Sequence, residues 1–140
     1  MKKFALFGSL ILAIAGFCNP VFAGDMVVIV NKANSNAVDK DAVAKIYKGK
    51  LKNWPSGGAV VNLALPDNNP ETEKFCDEII GKSLSHMKLL WSQMMFSGQA
   101  LPPKQVGSDE EMKKMVSENA DAIGFIKASS LDDSVKAVVK

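Results

Sequence analysis

The 140-residue sequence contains no arginine, one histidine (His86), one tyrosine (Tyr47) and two cysteines (Cys18 and Cys76). Each shortage excludes something. Without arginine the chain lacks the planar fork that grips phosphate or carboxylate through two parallel hydrogen bonds. With one histidine and no Gly-x-Ser-x-Gly elbow, no Ser-His-Asp or Cys-His set takes shape. His86 falls at the polar start of a helix with Lys88 close by, the setting of an exposed side chain. A single histidine, two cysteines and scattered carboxylates offer no metal-ligand spacing. Asp109-Glu110-Glu111 reads as an acidic first turn that complements a helix dipole, and Asp132-Asp133 as a solvated turn. There is no phosphate-cradling Walker loop and no dinucleotide fingerprint. The expectation is a protein that is not an enzyme and holds no cofactor and no metal.

Long apolar runs are also missing, with one exception. Residues 4–17 are apolar but for two glycines and a serine, they follow Lys2-Lys3, and Val21-Phe22-Ala23 supplies small residues around a cleavage point. This is the pattern of a secretory signal peptide, residues 1–23, cleaved after Ala23, with the periplasm as destination. The run is too short to span a bilayer comfortably, and Phe17 is too bulky to precede a lipid-acceptor Cys18.

The remainder, residues 24–140, is expected to form one domain. Removing 23 residues leaves 117, enough for one modest core. Taking Lys2 and Lys3 from the 17 basic residues leaves 15 lysines against 15 acids, so the mature chain is formally neutral. Nucleic acid is thereby excluded as a partner, since binding it needs a basic surface. Cys76 is then the one remaining thiol. Its apolar neighbours Phe75 and Ile79 point to a buried, inert side chain; an intermolecular disulfide is the alternative.

Residues 26–30 (MVVIV), 60–65 (VVNLAL), 122–126 (AIGFI) and, more weakly, 135–139 read as strands. Four helices lie between the first strand and the third. One is capped by Asp39 and runs to about Lys48. One has Asn69 as cap and Pro70 in its first turn, carries Phe75, Cys76, Ile79 and Ile80 as its stripe, and stops at Gly81. One starts at Ser83 or Ser85, faces inward through Leu84, Met87, Trp91, Met94 and Met95, and stops at Gly98. One is opened by the capping box of Ser108 and Glu111, with Met112, Met115 and Val116 inward. The order β-α-β-α-α-α-β-β, with strands apolar on both faces, predicts a three-layer α/β/α sandwich with a mostly parallel sheet.

In such a sheet, ligands sit beyond the carboxyl ends of the strands. The candidate ligand-binding residues are therefore Asn31, in the loop after the first strand; Asn68, Asn69 and Thr72, in the turn between the second strand and its helix; and Ser108, at the start of the last helix. The strand-turn-helix junction at 60–80 presents free backbone N–H groups to an anion. Helix capping explains Asn69 and Thr72 equally well.

Further pieces occur in a telling order: a strand ending in Asn31; Ile46-Tyr47-Lys48-Gly49-Lys50; Asn53-Trp54; a helix with Phe75; Phe96-Ser97-Gly98; Pro102-Pro103; Ala122-Ile123-Gly124-Phe125. Together they resemble the phosphate-type periplasmic solute-binding proteins of ABC transporters, over nearly the whole mature chain. The resemblance implies one lobe of a type II periplasmic binding protein and a small oxyanion such as phosphate as ligand. Full members have two lobes and bind the anion between them; this chain corresponds to one. That lobe usually carries an arginine and a Gly-Ser-Gly-Thr turn, where this sequence has Pro66-Asp67-Asn68-Asn69-Pro70-Glu71-Thr72 and only Thr72 carries over. Pro70 lacks a donor, and Asp67, Glu71 and Glu73 bring negative charge. Two expectations follow from the missing lobe: a homodimer that supplies the other wall of the cleft, or, as the alternative, a non-transport interaction module that partners a membrane sensor or envelope assembly and has lost its ligand. The Trp54-Pro55 and Leu101-Pro102-Pro103 loops, expected to be exposed, support the latter.

Overall fold

The computed structural model describes residues 26–139. The expected signal peptide lies outside the described residues. Met26–Val30 forms β1, buried along its whole length. Asp39 caps α1 (Lys40–Tyr47) by accepting a hydrogen bond from the Ala42 amide at 2.8 Å. The chain returns through β2 (Val61–Ala64) to α2 (Pro70–Phe75), which continues as one wider π turn, Cys76–Ile80. Then follow α3 (Leu84–Ser97), a short β3 (Lys104–Gln105), α4 (Asp109–Glu118), β4 (Ala122–Lys127) and β5 (Lys136–Val139).

The sheet order is β3-β2-β4-β1-β5. β2 pairs in parallel with β3 and β4, while β1 runs antiparallel to both β4 and β5. Four strands therefore point one way and β1, inside the sheet, points the other. The uniformly apolar sequence of β1 signals that both its faces are covered; it says nothing of direction. The expected α/β architecture stands.

β4 shows how the two faces are filled. Phe125 stacks on Phe75 at 4.2 Å between centroids, and Tyr47 meets Phe75 edge-on at 4.6 Å, so α1 and α2 cover this face. Gly124 faces the other way, against α4. A β-carbon there would lie 2.4 Å from Met112 Sδ, so the missing side chain lets α4 settle on the sheet. The Tyr47 hydroxyl donates to the carbonyls of Leu63 (2.6 Å) and Ile123 (3.3 Å), tying α1 to β2 and β4. Burial raises its pKa well above the ordinary tyrosine value.

The π turn has a reason in the sequence. Buried residues recur in pairs every four positions, Glu71 and Thr72, Phe75 and Cys76, Ile79 and Ile80. An α-helix has about 3.6 residues per turn and would rotate that stripe off the core; a wider turn brings it back. Gly81, at φ 84°, then ends the helix in a left-handed conformation that favours glycine.

Two local expectations are corrected. Trp54 is buried, not exposed: its indole N–H donates to the Asp121 carbonyl at 3.0 Å and pins the basic loop to the start of β4. Met95 is 54% exposed, because Met87, Trp91 and Met94 already complete the inner face of α3. The segment before Ser108 contains β3, whose two residues are too few to leave a periodic signal in the sequence.

Lys113 on α4 is nearly buried and reaches Asp132 at 2.8 Å and Glu110 at 3.3 Å. Its hydrogen bond to Asp132 raises its pKa. The same bond, with two from Ser134, holds the Asp132 carboxyl well below the usual carboxylate range. Among the described residues no helix is long and apolar enough to cross a membrane.

Candidate functional site

β2 ends at Ala64, and the chain turns through Leu65 and Pro66 into α2. The turn is closed by the Asn69 amide donating to the Pro66 carbonyl at 3.0 Å. The Asn69 side chain caps α2 by accepting from the Glu71 amide at 2.9 Å. The Thr72 hydroxyl donates back to the Pro66 carbonyl (2.8 Å) and the Leu65 carbonyl (3.2 Å), so its proton is committed to the turn. Asn68 is exposed at the tip.

Beside this turn, β3 and α3 bring up side chains from elsewhere in the chain. Lys88, in the first half of α3, lies 2.9 Å from Asp67 Oδ2, and the Gln105 side-chain amide donates to Asp67 Oδ1 at 3.2 Å. Ala64, Thr72, Trp91, Ser92, Met95, Pro102 and Pro103 complete a cleft of about 240 Å³. The floor is held firmly, since the Trp91 indole donates to the Tyr47 carbonyl at 2.8 Å. A larger cleft, about 350 Å³, opens at the amino end of β2. Its walls are mostly apolar (Ile46, Leu51, Val60, Leu101), and its charged residues are Lys52 and Lys104. The smaller cleft is the better candidate, because it lies at the carboxyl ends of β2 and β3, where donors from α3 and β3 converge.

The five residues singled out from sequence divide between the two ends of the sheet. Asn68, Asn69 and Thr72 belong to the turn at the carboxyl end of β2. Ser108 follows β3 at that same end and caps α4, its hydroxyl oxygen accepting from the Glu111 amide at 3.2 Å. Asn31 does not join them. β1 is reversed, with Val30 opposite Ile123, so its carboxyl end lies where β2 and β4 begin. The Asn31 amide donates to the carbonyls of Val116 (2.9 Å) and Ser117 (3.0 Å) at the end of α4, and its oxygen accepts from the Ala33 amide at 2.8 Å.

Sequence reasoning missed Lys88 and Gln105. Neither belongs to a motif, and both reach the turn only through tertiary packing. Of the three acids noted near the turn, Asp67 lines the cleft, Glu73 is exposed, and Glu71 is buried with its Oε1 unpartnered among the described residues. Cys76 is fully buried beneath the same helix. Burial, aided by the charges of Asp77, Asp67 and Glu73, pushes its thiol up to about 12, which suits an inert core residue. His86 is exposed at the start of α3. Among the described residues no group of three or more His, Cys, Asp or Glu side chains is placed to hold a metal ion.

A helix-flanked sheet with a cleft at the carboxyl ends of its parallel strands is the architecture of a PBP-like lobe. The comparison with protein families agrees: residues 12–140 match the PBP superfamily domain, and the chain belongs to that superfamily. No curated protein matches it. Among solved structures it is similar to an ABC-type phosphate transport receptor from Vibrio cholerae, with 24% identity and a TM-score of 0.63 over 81% of this chain and 44% of the other. It is similar to a putative phosphate ABC transporter substrate-binding protein with bound phosphate from Clostridium perfringens, with 25% identity and a TM-score of 0.64 over the same shares. PstS from Borrelia burgdorferi matches at 15% identity and a TM-score of 0.60, over 82% of this chain and 47% of that one. The chain thus spans less than half the length of each of these structures. The first two are named as a transport receptor and a substrate-binding protein.

Proposed function

We propose that this chain is a single-lobe periplasmic relative of the phosphate-type solute-binding proteins, with residues 1–23 as leader and 24–140 as the lobe, and that it binds a small oxyanion weakly in the cleft beside the 66–72 turn. The observation that carries the reading is the convergence of Lys88 and Gln105 on that turn. The bound phosphate of the Clostridium perfringens structure supports an anion of this class. Lys88 and Gln105 supply donors, and Ser92 lies within the same cleft; the amides of Asn69, Glu71 and Thr72 are spent within the turn. Asn68 stands exposed at the tip, while Asn69, Thr72 and Ser108 hold the turn and the neighbouring helix start in place. No group in the cleft is set up as a nucleophile with its base, so binding without chemistry is the activity expected.

Titrating isotopically labelled protein with inorganic phosphate tests this. One ammonium and one amide donor, without arginine, suit a Kd on the order of 1 mM, about −4 kcal/mol. The Gln105 side-chain amide and the backbone amides of 67–69 should shift together and saturate. Unchanged signals at concentrations several times that Kd reject the reading.

One observation favours a second copy of the chain as the missing wall. Leu89, Met95, Phe96 and Leu101 are 59%, 54%, 89% and 80% exposed, and Met95 itself lines the cleft. Exposed apolar side chains of this size suit a contact surface, and a two-fold dimer would cover them with their own equivalents. Sedimentation at rising protein concentration should reveal a dimer that Phe96→Glu abolishes. A monomer throughout the range rejects the dimer.

A further inference from the structure

We propose that Asp67 is an intramolecular occupant of the cleft: its carboxylate holds the position an oxyanion would take, and a ligand must displace it. This rests on the reading of the cleft as an anion site. The two oxygens of Asp67 are held separately, Oδ2 by the Lys88 ammonium at 2.9 Å and Oδ1 by the Gln105 amide at 3.2 Å. Those donors come from α3 and from β3, which pairs with the end of β2 and so sets Gln105 beside the turn. A free carboxylate or phosphate would be bound through the same pair.

Charge makes the occupation matter. Among the described residues Lys88 is the one cation lining the cleft, and Asp67 neutralises it. An incoming anion therefore meets a cation already paired and a like charge beside it. The occupant is displaceable, though. The Lys88 and Asp67 side chains are 54% and 40% exposed, and ion pairs in such settings are weak.

Asp67 also has no part in building the turn. The Asn69 amide closes it, the Asn69 side chain caps α2, and Thr72 bonds the carbonyls of Leu65 and Pro66. Removing the carboxylate should thus leave the fold intact and free Lys88 and Gln105 together.

The test is calorimetric titration of the full chain and of Asp67→Ala with inorganic phosphate and, separately, with acetate, at low ionic strength. Asp67→Asn, of nearly unchanged shape, is the second variant should the first melt early. The expected result is an affinity for either anion at least tenfold tighter in the variants, lost again in Asp67→Ala/Lys88→Met. Equal affinities in the original chain and the variants overturn the inference while the anion-site reading stands. Failure of both to bind overturns that reading, and the inference with it.

Discussion

Replacing Phe75 by alanine is expected to lower the stability of the domain by about 3–5 kcal/mol, the usual cost of removing a fully packed aromatic ring. Phe75 is 1% exposed and sits where α2 widens into its π turn. Its ring lies flat on Phe125 of β4 at 4.2 Å and edge-on to Tyr47 of α1 at 4.6 Å. It therefore joins two helices to a central strand, and no neighbour is free to fill the gap. Tyr47 is held by its bonds to Leu63 and Ile123, and Phe125 by its strand. Urea denaturation should show the midpoint falling with an unchanged slope, the signature of lost stability rather than of a changed unfolded state. Phe96→Ala makes a good contrast. That ring is 89% exposed, and its loss should change stability by no more than about 0.5 kcal/mol, as for other surface substitutions. Similar losses at the two positions would overturn this account of the core.

Asn31→Asp should be nearly as damaging, although it leaves size and shape unchanged. The Asn31 amide donates two hydrogen bonds to the last carbonyls of α4, at 2.9 and 3.0 Å, from a site that is only 9% exposed. A carboxylate there faces two carbonyl oxygens with no proton to offer, at the negative end of the helix dipole. Leaving buried carbonyls unpaired costs about 1–3 kcal/mol, and an uncompensated buried charge costs more, so the total should reach roughly 3–5 kcal/mol at neutral pH. The pH dependence has a definite sign. The introduced carboxyl is destabilised in its charged form, so its folded pKa lies above its unfolded one. The penalty should therefore shrink as the pH falls through the folded value, because the protonated acid can donate to one carbonyl. Stability curves of the two proteins at pH 7 and at mildly acidic pH check this. A loss independent of pH, or none, would mean that Asn31 does not hold α4 as described.

Asn31 also marks where sequence reading stops. Asn31 was singled out because it follows a strand, and ligands gather past the carboxyl ends of strands in open α/β sheets. That rule presumes the strand's direction. β1 is apolar throughout because α4 covers one face of the sheet and α1 and α2 the other, and such a strand looks the same in either direction. Its reversal moved Asn31 to the far end of the sheet and gave its amide to α4. Trp54 was misjudged for a similar reason. It lies in a polar loop, and only the approach of Asp121 buries it.

The helix limits, by contrast, were legible. Asp39, Asn69 with Pro70, Ser83 and Ser108 start the four helices, and Gly81 and Gly98 stop two of them. Caps act within one turn, so the information needed to place them is local. The turn at 66–72 was legible for the same reason, as a strand giving way to a proline-started helix.

The chain by itself determined the α/β class, the capped helices and the turn around which the cleft forms, because each depends on neighbours a few residues apart. Only the tertiary structure decided the reversed β1, the departure of Asn31 from the candidate site, and the meeting of Lys88 and Gln105 on Asp67. Those depend on how distant segments pair and pack, and a hydrogen bond from β3 or an ammonium from α3 leaves no trace in the spacing of residues along the chain.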